Sequence, residues 1–216
     1  FTLTDDNTQA DYNNKAGNVG TLTAASGTLV NIKNQSNKPE NTTVKLQGVT
    51  LTGATRGVYA GSNVNLVATV TTVNTHGAAI SYGGVGTLVV NNCKFADNRV
   101  TANGHAGAIF MNNASCKATI TNSTFTNNQS ESNYGGAMWL AGHAITLRDN
   151  TFAGNTAGSV GGAVYLVPCT NVEKAAAETE AYSSYDAVLE NNTFENNKAY
   201  SGGGALYITP STITVT

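Results

Sequence analysis

A right-handed parallel β-helix with three strands per coil is the fold this sequence predicts, and three observations predict it. Two short motifs alternate along the chain at a recurring spacing. Side chains follow the two-residue period of strands, as in Thr119-Ile120-Thr121 or Val64-Asn65-Leu66-Val67, and helical periodicity is nearly absent. Charge is sparse: 11% of the 216 residues are charged, against about 25% in an ordinary soluble domain. Polarity comes instead from Thr, Asn, Ser and 23 glycines, while 40% of the residues are apolar and recur in register, which argues against disorder. With three prolines in the chain, long strands are permitted.

The first motif is an F-x-x-N tetrad, present as Phe95 to Asn98, Phe125 to Asn128, Phe152 to Asn155 and Phe194 to Asn197, with Phe-to-Phe steps of 30, 27 and 42 residues. After each tetrad comes a G-G-A-aliphatic segment: Gly135-Gly136-Ala137-Met138, Gly161-Gly162-Ala163-Val164 and Gly203-Gly204-Ala205-Leu206, with Ala106-Gly107-Ala108-Ile109 as a variant. A period of this length holds three short strands and their turns. Such a coil cannot bury its apolar side alone and needs neighbours stacked roughly 4.8 Å away. Equivalent residues then form ladders. The Phe column is expected inside, each ring burying on the order of 150–250 Å². The Asn column suits a turn, where amides bond their neighbours above and below. The glycines suit a position of positive φ or close backbone approach. These motifs are therefore read as structural rather than catalytic.

The long step contains an insertion, 168–186, whose segment 171–182 is the one helix-favouring run and the densest charge cluster. A loop projecting from a rigid scaffold is a common binding element. Upstream, His76-Gly77-Ala78-Ala79-Ile80 and Arg56-Gly57-Val58-Tyr59 resemble worn copies of the G-G-A segment, and 44–51 resembles the strand that carries the Phe. The chain thus divides into an N-terminal cap or degenerate coils (1–48) and β-helix repeats (49–216) that carry the insertion at 168–186. Terminal coils expose strand edges, so 1–48 is expected to shield or extend one end. The last residues, Thr212 to Thr216, stop inside a strand pattern. The expectation is a piece of a longer protein, with further repeats or end-to-end self-association at that end.

Alternating F-x-x-N and G-G-A-[I/L/V] repeats resemble those of the chlamydial polymorphic membrane proteins. The resemblance covers about residues 91–208, weakly 49–90, and hardly at all 1–48. What it implies is the passenger of an autotransporter: a β-helical adhesin and virulence protein, extracellular or at the bacterial outer membrane, whose partner is a host-cell protein or glycan. This sequence contains no C-terminal membrane barrel or cysteine-rich pattern, so export route and host are not carried over.

Stacking converts sequence offsets into surface columns. Two residues after each repeat Ala stand Phe110, Trp139, Tyr165 and Tyr207. With the intervening aliphatics inside, these four make an outer ladder able to stack on sugar rings or a protein partner, and they are the candidate ligand-binding residues. That orientation is preferred because Ala, taken to share the aromatics' face, would fill a core poorly; the reverse orientation makes the aromatics core. A second column runs His76, His105, Tyr134, Val160, Gly202. No carboxylate or thiol joins its histidines, so they are read as solvent-exposed turn residues rather than metal ligands.

Other classes find little support. Polysaccharide hydrolases or lyases of this shape need convergent carboxylates, or a base beside an acidic calcium site. Asp97, Asp149 and Glu195 instead come from different coil positions. No ordered Ser–His–Asp set appears. No catalytic residue, metal or cofactor is therefore expected, and the rival to an adhesin is a structural stalk without a ligand of its own. A net charge of −2 without a basic cluster argues against nucleic acid as a partner. Cys93 and Cys116 are read either as one disulfide or as inert thiols, with Cys169 left over.

Overall fold

The computed structural model describes residues 2–3, 20–23, 25–32, 42–53, 56–60, 64–69, 72–75, 77–83, 86–101, 104–113, 116–142, 144–167, 186–209 and 212–216. Every strand pair among them is parallel, and each strand meets its equivalent one coil away. One coil runs Gly86–Asn91, Lys94–Ala96, Arg99–Val100 and Ile109–Asn112. The next runs Cys116–Thr121, Thr124–Thr126, Gln129–Ser130 and Met138–Ala141. The chain is a right-handed parallel β-helix. Three walls are long: a Phe wall of eight strands, a G-G-A wall of seven and a third wall of seven. Over the four F-x-x-N coils a short fourth sheet of two-residue strands is inserted between the Phe and G-G-A walls. Segment 44–51 proves to be two strand pieces rather than one. Thr42–Gln47 lies in the third wall and Val49–Gly53 in the Phe wall, with Gly48 at φ 61° turning the corner between them.

The Phe rings stack as the spacing predicts. Centroids are 4.9, 4.9 and 4.8 Å apart from Phe95 through Phe125 and Phe152 to Phe194, with interplanar angles of 3°, 13° and 7°. The first three are fully buried, and Phe194, in the last described coil, is half-buried. Upstream the column continues as Val73 and Leu51, paired in register. Within 1–48, Gly20–Thr23, Thr28–Ile32 and Thr42–Gln47 each pair with a wall of the solenoid.

Both corners of the Phe wall are built alike. On one side Asp97, Asn127, Gly154 and Asn196 take positive φ, each just ahead of the motif Asn. That Asn turns inward. The Asn98 amide donates to Asn128 Oδ1 (2.8 Å), Asn128 to Asn155 (3.0 Å) and Asn155 to Asn197 (2.9 Å). Each amide also donates to a Phe-wall carbonyl, as Asn128 does to Phe95 O at 3.1 Å. On the other side Asn92, Asn122, Asp149 and Asn191 take positive φ, and a second inward ladder, Cys93–Ser123–Asn150–Asn192, follows. The G-G-A glycines meet both conditions anticipated for them, in succession. Gly135, Gly161 and Gly203 adopt φ of 57–68°, and Ala106 adopts 56° in the variant coil. The next glycine touches the adjacent coil: a Cβ on Gly136 would overlap the carbonyl oxygen of Gly162.

Two consequences are measurable by denaturation. Phe125→Ala opens a cavity inside a packed column and should cost about 3–5 kcal/mol. Asn128→Ala should cost at least about 2 kcal/mol, because it strands the backbone N–H and the amide of Asn98 and the carbonyl of Phe95, each worth about 1–3 kcal/mol when buried without a partner. The exposed Thr124→Ala, one residue from Phe125, should stay within about 0.5 kcal/mol of the parent.

Candidate functional site

The G-G-A wall places Phe110, Trp139, Tyr165 and Tyr207 in one column, paired in register and facing outward. Their neighbours Ile109, Met111, Met138, Leu140, Val164 and Leu166 are buried. The outward orientation holds, but the reason given for it does not. Ala108, Ala137 and Ala163 do not share the aromatics' face: they are fully buried and belong to the core together with the aliphatics that follow them. Alternation is broken there by a bulge-like step in which two successive N–H groups share one acceptor. Ala137 and Met138 both donate to Ala163 O, and Ala163 and Val164 both donate to Ala205 O. Ala and aliphatic therefore both turn inward, and the aromatic is the first residue to face out.

Successive rings touch: Phe110–Trp139 at 4.8 Å, Trp139–Tyr165 at 6.2 Å and Tyr165–Tyr207 at 5.5 Å between centroids. Toward the N-terminus the column continues through Ser81 to Tyr59, whose ring lies 5.5 Å from the Arg56 guanidinium. The second column is also real. Ala106 N donates to Tyr134 O, Gly135 N to Val160 O and Gly161 N to Gly202 O. Its role differs from the expectation, because His105 is not an exposed turn residue. Its imidazole stacks on Tyr134 (5.6 Å) and Phe110 (5.8 Å) and meets Trp139 edge-on at 4.1 Å. Tyr134 in turn lies 4.9 Å from Tyr165. His76, the other histidine of that column, lies outside the described residues, as do Cys169 and the insertion apart from Asp186.

The covering column shrinks along the wall, from His105 and Tyr134 to Val160 and then Gly202. Phe110, Trp139 and Tyr165 are partly covered, and Tyr207 is 37% exposed in the last described coil, where residues such as Phe194 and Leu206 are also more exposed than Phe152 and Val164 one coil back. The covering has an electrostatic cost. Trp139 Nε1 and His105 Nδ1 are both buried without a hydrogen-bond partner among the described residues. Burial pushes the His105 imidazole below the usual histidine range. It raises the Tyr165 phenol, which Tyr134 and Tyr207 raise further, so this hydroxyl stays neutral.

The remaining candidates do not converge. Asp97 and Asp149 sit exposed at opposite corners of the Phe wall, and Glu195 lies exposed on its outer face. Among the described residues no three His, Cys, Asp or Glu side chains cluster as metal ligands would. Cys93 and Cys116 are both buried, and Cys93 Sγ lies 3.3 Å from the carbonyl oxygens of Ala68 and Asn91. The residues of this wall whose placement against the aromatic column the sequence reading missed are His105 and Tyr134. Their signal was the column itself, two aromatic rings at one coil position beside a column of aromatics.

A family model described as right handed beta helix region matches residues 56–216, well over half of the chain. No curated protein and no solved structure matches it. Among the described residues no helix is long and apolar enough to cross a membrane.

Because the Trp139 N–H is buried unpaired, Trp139→Phe should leave the thermal midpoint unchanged or slightly raised. The apolar area it loses is offset by removing a donor whose burial costs about 1–3 kcal/mol. Trp139→Ala, which removes the ring contacts as well, should lower the midpoint.

Proposed function

The chain belongs to the right-handed β-helix family, and from that premise we propose that it is an adhesin-type binding protein that takes an extended ligand along its aromatic column. The observation that carries this reading is a continuous line of rings outside a wall whose inside is already filled. The core does not need these rings. Yet they sit at contact distance over successive coils. Aromatic side chains give rigid contact area at low entropy cost, which suits stacking on sugar rings or on a partner's apolar side chains. A ladder repeated coil by coil favours an extended partner, a host-cell glycan or an unfolded protein segment, bound weakly at each rung and cumulatively along the row.

The likeness of the F-x-x-N and G-G-A repeats to those of the polymorphic membrane proteins supports a cell-surface or extracellular location and a host-directed partner. The fold serves binding proteins and enzymes alike, so it decides nothing by itself. In this reading the chain has no catalytic residue, because Asp97, Asp149 and Glu195 stand apart. A second reading, a structural stalk without a ligand, draws on the covering of Phe110 and Trp139 by His105 and Tyr134, which makes those rings partly packing elements.

The test uses the open end of the column. Tyr165→Ala with Tyr207→Ala should weaken binding to host cells or to the glycans found by array screening by about tenfold, or ~1.4 kcal/mol, with the thermal midpoint nearly unchanged. Undiminished binding would transfer the role to the insertion at 168–186. Absence of any binding by the parent protein would favour the stalk.

A further inference from the structure

We propose that His105 is a proton-operated gate over a second, covered stretch of this face, formed by Phe110 and the indole of Trp139, and that the opened stretch takes an uncharged sugar. The proposal rests on the aromatic column being a binding face and adds its regulation and ligand class. Three observations meet at this residue. The imidazole lies directly over Trp139, at 4.1 Å, and against Phe110. Among the described residues its Nδ1 has no partner, and neither has the indole N–H of Trp139. The backbone on either side is tied to the next coil: Gly104 O accepts from Ser130 Oγ (3.3 Å) and Asn133 Nδ2 (3.1 Å), while Ala106 N donates to Tyr134 O. The side chain can therefore swing while the turn stays in place.

Protonation supplies the force. A neutral imidazole in the closed position forgoes one hydrogen bond at Nδ1. An imidazolium is a donor at both nitrogens, and in the covered position its Nδ1 has nothing to donate to among the described residues. The groups stacked on it are Phe110, Tyr134 and Trp139, of which Tyr134 alone titrates. The charged groups of the neighbouring turn, Arg99 and Glu131, are engaged with each other. Burial holds the imidazole below its ordinary range. The sign follows from that direction. The closed form is fully favoured above the ordinary value and is lost as pH falls through the lowered one. Rotation into water then uncovers the ring surfaces of Phe110 and Trp139 that His105 contacts. A neutral sugar, with an apolar C–H face for the rings and hydroxyl acceptors for the unpartnered indole N–H, matches that set, and among the described residues the ring contacts of Phe110 and Trp139 are all aromatic.

Trp139 is the one tryptophan of the chain, so its fluorescence reports the gate directly. Acrylamide quenching should rise roughly twofold or more between about pH 7.5 and about pH 5, a range spanning the ordinary histidine value of ~6.5. His105→Phe keeps a ring over the indole without a titrating group and should stay weakly quenched at both pH values. His105→Ala should be strongly quenched at both. Quenching of the parent that does not change with pH, or the same rise in His105→Phe, would overturn the gate. Cellohexaose, as a neutral probe, should protect Trp139 from acrylamide in acid only; absence of protection at either pH would overturn the sugar assignment. Because quenching needs no ligand, these results are independent of the Tyr165 and Tyr207 binding test. Either conclusion can fail while the other stands.

Discussion

The buried amide ladders are the constraint on which the rest of the structure depends. At each corner of the Phe wall the chain must turn sharply, which places one residue at positive φ and points the backbone N–H of the next residue at the coil above. No strand lies there to receive it. An inward Asn solves the problem because its amide carries both a donor and an acceptor on one short side chain. Asn128 Oδ1 accepts from the N–H and the amide of Asn98, while its own amide donates to Phe95 O and to Asn155. Leaving such groups unpaired costs about 1–3 kcal/mol each. A slip of one residue would strand several at once, against a total stability of about 5–15 kcal/mol for a typical domain. Register is thereby fixed coil by coil. Everything displayed outside inherits that regularity.

The outward faces express it. Because the Phe column and both ladders pin each coil, residues at the same offset recur one strand spacing apart, and the aromatic column becomes a contiguous surface rather than scattered rings. The bulge-like step at Ala137 and Ala163 adds a second effect. By turning Ala and the following aliphatic inward together, it thickens the core beneath the G-G-A wall and leaves the aromatic as the first outward residue. Small Ala is therefore a consequence of crowding inside the wall: a larger residue there would compete with Met138 or Val164 for the same space.

Much of this was legible in the sequence wherever one residue type does one job in every coil. Phe95, Phe125, Phe152 and Phe194 recur unchanged, as do the four motif asparagines, because stacking and the amide ladder admit few substitutes. The second ladder escaped notice for the opposite reason. Cys93, Ser123, Asn150 and Asn192 fill it with three chemistries, all able to turn inward and the last three able to accept the same backbone N–H. The two-residue strands of the fourth sheet carry no periodic signal at all, since two residues are too few to show alternation. The bulge could not be read because alternation was the rule by which faces were assigned. The position of His105 was hidden for a different physical reason: a turn residue's side-chain direction is set by the coil above it, here Tyr134 and Trp139, and not by its own neighbours in sequence.

His105 and Tyr134 close over Phe110 and Trp139. Covering has a cost that packing alone does not explain: among the described residues these are the two buried side-chain nitrogens without partners. Residues that violate a rule obeyed elsewhere in the same chain are where function is to be sought. The unsatisfied pair joins the covering column at His105 to the aromatic column at Trp139, so the polar atoms that packing leaves unpaired lie where the two columns meet.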